Sequence, residues 1–328
     1  MPGLDIRHLR AICAIADTGS LSKAAVRLGL TQPALSAQLH RVERLVGGQL
    51  FDRSPAGSTP TELGRYVIGV AEMVLNDVEH LLDSARGRAG RPPSAQPLLV
   101  GCMPMPMVAP MVAELRRRVP CSELRTEIDT SAAGVLDKIA TGRVQLAVLE
   151  RFEGIEKRQL SGVQLRTLIT EPQFIGLADR HPLASRPVVD LADLAGDHWV
   201  TPPPDSNSLL GSLNSACAAV GYSPKIRHHT GEAGTARALI MAGAVALASP
   251  CSRSGDGIVI RPLRGTPLRL PILVAIRSDG PLVGRGQEAF AAVARAYRST
   301  VDRNPDFMAW WVANPLEHAE LDAALESG

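Results

Sequence analysis

The stretch from Leu21 to Arg53 constrains this chain more than any other, because two helical periods meet there across a tight corner. Ser20 offers a capping oxygen to a first helix whose apolar positions include Leu21, Ala24, Ala25 and Leu28. Gly29 follows, the residue type that exits a helix in the left-handed conformation. Thr31 caps a second helix, and Pro33 falls in its first turn, where a missing amide donor costs nothing. Leu35, Leu39, Val42 and Val46 then recur at helical spacing and predict a buried stripe. The other face carries Gln32, Ser36, Gln38, Arg41 and Arg44. The pattern predicts a helix-turn-helix in which the leading side chains of the second helix reach base edges.

An ordinary amphipathic pair with a solvated face would show the same periods, so the neighbours decide. A preceding helix with Leu9, Ile12, Cys13 and Ala16 on one face completes a three-helix core. After Gly47-Gly48, the run Leu50-Phe51-Asp52-Arg53-Ser54-Pro55, with Gly57 and Pro60, predicts a short hairpin, a wing that offers Arg53 to phosphate. Thr61 caps a long helical pattern that begins with Glu62 and runs to about Gly87. Its residues Leu63, Val67, Val70, Val74, Val78 and Leu81 form nearly a heptad stripe with no domain of its own to bury it. A partner helix, and so a dimer, is the natural solution; packing against the chain's own body is the alternative. Arg86 to Ser94 is small, charged and proline-rich, and reads as a hinge between domains.

Beyond the hinge, strands and helices alternate. Strands at Leu98–Cys102, Leu124–Ile128 and Val144–Leu149 enclose helices at Val108–Val119 and Ala132–Thr141. That order predicts a parallel sheet with helices on its faces. Two strand candidates lie within residues 165–178, followed by a helix over 206–220 and a strand at Lys225–His228. A helix at Ala233–Met241, strands at Val245–Ser249 and Leu270–Ile276, and a helix at Gln287–Val301 complete the series. Two such units joined by crossing strands make a bilobed domain with a cleft. Open α/β sheets bind ligands at the carboxyl ends of their strands, which makes residues 103–107, 129–131, 150–152 and 201–203 the expected cleft walls.

Leu9-Arg10-Ala11-Ile12, Ser20-Leu21-Ser22-Lys23-Ala24-Ala25, Leu28 to Ser36 and Leu50-Phe51-Asp52-Arg53 together resemble the N-terminal domain of LysR-type transcriptional regulators, in register from residue 4 to about residue 90. Val135 to Val148 and Leu239 to Pro250 are similar to the effector domain of the same family, so the resemblance reaches about residue 300. It implies an α+β multidomain chain: a winged helix-turn-helix over residues 1–60, a linker and dimerisation helix over 61–90, and a bilobed α/β effector domain resembling periplasmic binding proteins over 91–301. Residues 302–328 are a C-terminal extension. The function implied is that of a regulator whose oligomer, a tetramer paired through linker helices, bridges an interrupted palindrome in double-stranded DNA. A small-molecule effector in the cleft would change lobe closure and so the spacing or bend of the DNA.

Carried onto this sequence, the expected DNA contacts are Ser22, Lys23, Thr31, Gln32, Pro33, Ser36, Gln38, Arg41, Arg53 and Thr61. The expected effector contacts are Met103, Met105, Thr130, Ser131, Glu150, Thr201 and Pro202. There are departures. Where many members offer Ser or Thr hydroxyls to an anionic effector, Met103-Pro104-Met105-Pro106-Met107 stands here. Methionine is polarisable and adaptable, so an apolar or aromatic effector becomes the expectation, unless these side chains merely fill a lobe core. Ala37 stands where many relatives carry a long basic residue. The family's Gly-small-Gly motif is weakened to Gly243-Ala244-Val245, and the extension gathers Phe307, Trp310 and Trp311 in a chain with 3% aromatics.

Composition sets outer limits. A length of 328 residues suits two or three domains, and no apolar run is long enough to span a membrane. The charged segment Asp5-Ile6-Arg7 argues against a secretory signal, so a cytoplasmic location is expected. Residues 1–58 hold seven Lys/Arg and four Asp/Glu, hence +3, while 302–328 hold one Arg and six acids, hence −5. A modestly basic head is compatible with DNA without establishing it. The five cysteines have neither metal-knuckle nor CxxC spacing; reduced thiols are the default and a switch between Cys217 and Cys251 the alternative. Nucleophile elbows, phosphate loops, dinucleotide fingerprints and metal helices are absent from the sequence, and no cofactor is expected. His228-His229 on a strand would point to opposite faces, poorly placed to share a metal. Glu150 near the cleft is the one acid or base with a position to recommend it, and no partner for it can be named. The second class of function left open is therefore a small-molecule binding protein or enzyme whose helical head serves assembly only.

Overall fold

Three short helices open the chain, and each begins where a side chain takes up an orphan amide. In the computed structural model, which describes residues 3–54, 57–88, 92, 95–152, 154–158, 160–203 and 209–326, α1 spans Ile6–Thr18, α2 Leu21–Leu28 and α3 Gln32–Val46. Asp5 accepts from the Arg7 amide, Ser20 from Lys23 and Thr31 from Ala34, while Gly29 closes α2 at φ 65°. Leu9, Ile12 and Ile15 meet Ala24, Ala25, Leu35, Leu39 and Val42 in a core with almost no exposure. The strands β1 (Phe51–Ser54) and β2 (Gly57–Pro60) pair antiparallel as the expected wing. The wing docks by its Ser58 amide on the Gly19 carbonyl at 2.8 Å. Pro55 lies outside the described residues.

The long helix α4 (Glu62–Arg88) grows directly out of this head. Thr61 caps it, accepting from the Gly64 amide at 2.9 Å, and its own hydroxyl donates to the Gln49 carbonyl at 2.8 Å. Ile68 and Ala71 are buried against the head, with Leu63, Val67 and Leu75 packed beside them. The approach is very close at Gly64, where a Cβ would stand 2.0 Å from the Leu50 carbonyl oxygen. The near-heptad stripe therefore divides. Leu63 and Val67 turn to the head, while Val70, Val74 and Leu81 stay exposed alongside Tyr66, Met73 and Leu82. Residues 89–91 and 93–94 of the expected hinge lie outside the described residues.

Residues 1–86 and 87–328 form two compact units. In the second, β3 (Leu98–Cys102), β4 (Leu124–Ile128) and β5 (Leu146–Glu150) pair parallel, separated by α5 (Val108–Arg118) and α6 (Ala132–Ala140) as expected. The sheet is nevertheless mixed. Its order is β4-β3-β5-β12-β6, and β12 (Arg269–Arg277) runs antiparallel to both β5 and β6 (Val163–Pro172) because it returns from the other lobe and not through a crossover helix. That second lobe holds β7 (Phe174–Ala178) between β10 (Ala246–Ala248) and β11 (Ile258–Pro262), with β8 (His198–Thr201) and β9 (Lys225–His229) as a parallel pair. The Trp199–Val245 bridge ties that pair beside β10. Its helices are α7 (Leu209–Ala219) and α8 (Ala233–Met241); residues 206–208 of the expected helix lie outside the described residues. The lobes are joined where β6 runs into β7 and where β11 returns to β12, and the Gln173 amide pins the crossing to the Leu268 carbonyl at 2.9 Å.

The helix α9 (Gly286–Val301) lies on lobe I, and the chain continues through α10 (Pro305–Ala313) and α11 (Ala319–Glu326). Phe307, Trp311, Leu321 and Ala324 from this extension are buried in the same core as α5 and α9. The extension is part of the unit and not a tail.

Candidate nucleic-acid interface and interlobe cavity

The polar face of α3 is exposed at Thr31, Gln32, Pro33, Arg41 and Arg44, with Ser36 and Gln38 half-buried behind them. Ser22 and Lys23 on α2 stand exposed beside it, and the Ser22 hydroxyl donates to Gln32 Oε1 at 3.2 Å. That bond holds the Gln32 side chain at the leading edge of the helix. The Ser36 carbonyl is engaged by His40 Nδ1 at 2.8 Å, which leaves the Ser36 hydroxyl free of that contact. Among the described residues, Lys23, Arg41 and Arg44 hold no ion pair, so their charge is undiminished. Thr61 is placed differently: its hydroxyl is committed to the α4 cap and to Gln49. Arg53 lies on β1, but its side chain lies outside what is described. One connection escaped the sequence: the Glu43 carboxylate of α3 accepts from the Leu50 amide at 3.0 Å, tying α3 to the root of the wing.

Between the lobes lies a cavity of about 1240 Å³. Met103, Met105, Thr130, Glu150, Thr201 and Pro202 all line it, so the structure brings together six of the seven expected effector contacts. Ser131 is not in the lining; its hydroxyl accepts from the Gly134 amide at 3.2 Å and caps α6. Thr201 is buried and meets His229 Nδ1 at 3.1 Å, which leaves one histidine of the adjacent pair in a polar contact at the cavity edge. Among the described residues no group of three or more His, Cys, Asp or Glu is arranged to hold a metal. Lobe II adds residues that sequence reasoning did not single out, including Gly231, Arg237 and Arg253, and the extension adds Arg303 to Asp306. The helix-start and turn residues of lobe II were the available signal. Gly231 approaches Thr130 so closely that a Cβ there would meet the threonine Cβ at 3.0 Å, so the two lips are already in contact.

Two family models cover most of the chain. Residues 6–65 match the bacterial regulatory helix-turn-helix protein, lysR family, and residues 95–298 match the LysR substrate binding domain. The chain belongs to the LysR family of transcriptional regulators. This LysR-family regulator is 39% identical over 315 residues to the small neutral protease regulatory protein of Streptomyces coelicolor, covering 94% of this chain and 97% of that one. To the DNA-binding transcriptional dual regulator OxyR of Escherichia coli K12 it is 26% identical over 314 residues, covering 92% and 98%. Among solved structures, full-length CbnR in complex with its target DNA superposes with a TM-score of 0.60 at 20% identity, over 90% of this chain and 100% of that one, a likeness of fold.

The LysR-family regulator departs from a thiol switch. Cys217 sits in the lobe II core and Cys251 in the core shared with lobe I, so the two belong to different clusters. Burial, and then the charge of Glu171, pushes the Cys251 thiol up to about 12, and burial raises Cys217 as well. Both shifts disfavour the thiolate from which oxidation proceeds. Beside the main cavity lies a chamber of about 50 Å³, room for a water molecule or two, lined in part by Glu150, Glu171, Ser249, Cys251 and Tyr297. Glu171, at the end of β6, is almost wholly buried. Burial pushes its carboxyl up to about 7 although Tyr297, Ser249 and Gln173 all donate to it. No helix among the described residues is long and apolar enough to cross a membrane.

Proposed function

We propose that this regulator acts as an oligomer on an interrupted palindromic promoter site and answers to a small, largely apolar or aromatic molecule held between its lobes. The observation that carries the reading is the interlobe cavity: a methionine-bearing wall faces a few directed hydroxyls, in a chain whose other unit is a winged DNA-reading head. Gln32 and Ser36 face base edges, Thr31 and Arg53 hold phosphates, and Lys23 and Arg41 add positive charge along the same face. The exposed residues Tyr66, Val70, Val74 and Leu81 on α4 support pairing through that helix, and two such dimers make the tetramer. The anchoring hydroxyl is that of Thr130, since Ser131 is spent as a cap and the Thr201 hydroxyl already meets His229. An effector acts only through its different affinity for two lobe arrangements.

The test pairs two titrations. The relatives named as regulators of a small neutral protease make a neighbouring protease promoter, with the regulator's own upstream DNA, the first duplexes to try. Affinity for such a duplex should fall steeply with salt and exceed that for random DNA. Calorimetry against aromatic and small aliphatic acids, repeated on Thr130→Val, then addresses the cavity. Binding of small aliphatic acids alone would reject the apolar pocket, and an affinity unmoved by Thr130→Val would remove that hydroxyl from it.

A further inference from the structure

The effector-domain model ends at residue 298, yet the chain continues into α10 and α11, and this extension is keyed to the strands that join the lobes. Phe307 is fully buried and stands edge-on to Phe174, the first residue of β7, with ring centres 6.4 Å apart. Trp311 stacks on Tyr297 of α9 at 6.3 Å and on His318 at 3.8 Å. Farther along, Glu320 pairs with Arg166 of β6 at 3.2 Å and Glu317 pairs with Arg269 of β12. The corner before α10 is fixed by Asn304, whose Nδ2 donates to the Pro250 carbonyl at 2.9 Å and whose Oδ1 accepts from the Asp306 amide at 3.0 Å. With that corner held, residues 303–306 become a wall of the interlobe cavity.

The charges along the cavity are not equivalent. Arg237 spends its guanidinium on the Arg253 and Gly255 carbonyls, and Arg261 on the Ala184 carbonyl. Glu232 spends both oxygens on the first amides of α8, and Glu150 belongs to the lobe I wall. Among the described residues, the guanidiniums of Arg253 and Arg303 hold no ion pair or hydrogen bond. Resting on the reading of this cavity as the effector site, we propose that the C-terminal extension is a working part of it. Arg303 receives the anionic group of an effector whose apolar body lies along Met103 and Met105. The ligand class is then an organic acid with a large apolar or aromatic body, and specificity for the acid comes from residues beyond the effector-domain match.

Two fluorescent probes of similar shape test this on the full chain: anilinonaphthalene sulfonate, an aromatic anion, and uncharged N-phenylnaphthylamine. Arg303→Gln should weaken the sulfonate about fivefold, the scale of one solvent-shared charge contact. Asp306→Asn, which removes a negative charge from the same wall, should strengthen it, and the neutral probe should move less than twofold in either variant. Arg264→Gln, at an arginine paired with Asp190 away from the cavity, should leave both probes unchanged. The thermal midpoint checks that each variant is folded. The proposal is overturned if the wild-type chain binds neither probe, if the sulfonate ignores either charge change, or if both probes shift alike. Failure of the effector reading shows differently: the probes behave as expected, but their occupancy leaves affinity for duplex DNA unchanged.

Discussion

At the scale of single residues, Gln32 and Glu171 show the two ways a polar side chain is held. Gln32 is exposed and tethered by Ser22, an arrangement that reduces the freedom lost when it meets a base. Gln32→Ala should cost about 1–3 kcal/mol at the specific site and little on random DNA, measured by competition binding; equal losses on both would move Gln32 from the bases to the backbone. Glu171 is buried, and its consequence is a pH dependence of stability. Below the usual carboxyl value near 4.5 the Glu171 carboxyl is protonated in folded and unfolded chains alike, so no charge is buried. As pH rises towards about 7, the unfolded chain releases the proton while the folded chain retains it, so stability is lost across that window, by up to about 3 kcal/mol. Glu171→Gln cannot titrate. The stability of wild type relative to that variant should therefore fall between pH 4.5 and 7 and level off above, as denaturant midpoints would show. A difference independent of pH would refute the account.

At the scale of elements, the stripe on α4 gives the sharpest expectation. Val74 is 40% exposed in the single chain, so Val74→Glu should leave the head folded. It should place like charges across a helix pair and convert the oligomer to smaller species by light scattering; an unchanged mass would mean that this face pairs with nothing. The same helix shows what was legible in the sequence. Caps at Ser20, Thr31 and Thr61 and the stripe on α3 are local signals, read over a few residues, and each element began where they placed it. The four-residue β8 and the strand β11, with Arg261 and Pro262 at its end, carry too little alternation to be read locally and were not anticipated. The antiparallel course of β12 between β5 and β6 depends on its return from the other lobe, a long-range fact. In the cavity, Met103 and Thr130 were legible because they follow the ends of β3 and β4, whereas Ser131 was drawn away by the competing demand of a helix cap. The wall at residues 303–306 had no local signal at all.

At the scale of the whole molecule, the junction between head and linker helix governs what the DNA-reading unit can do. The Leu50 carbonyl accepts from the Thr61 amide at 3.0 Å and leaves no room for a side chain at Gly64, while Glu43 holds the Leu50 amide. Gly64→Ala forces a Cβ onto that oxygen and should destabilise the head by about 2–4 kcal/mol, read as a lowered unfolding midpoint with a parallel loss of DNA affinity. A midpoint within experimental error of wild type would show that the junction yields. If it does not yield, α4 and the recognition helix turn as one rigid lever. At 27 residues the arm is about 40 Å long, so a tilt of about 5° at the head appears at its far end as a displacement of roughly 3.5 Å. Read in reverse, a shift of a few ångströms at the far end of the arm re-aims the recognition helix by only a few degrees, a fine adjustment of pointing that leaves every contact within the head intact.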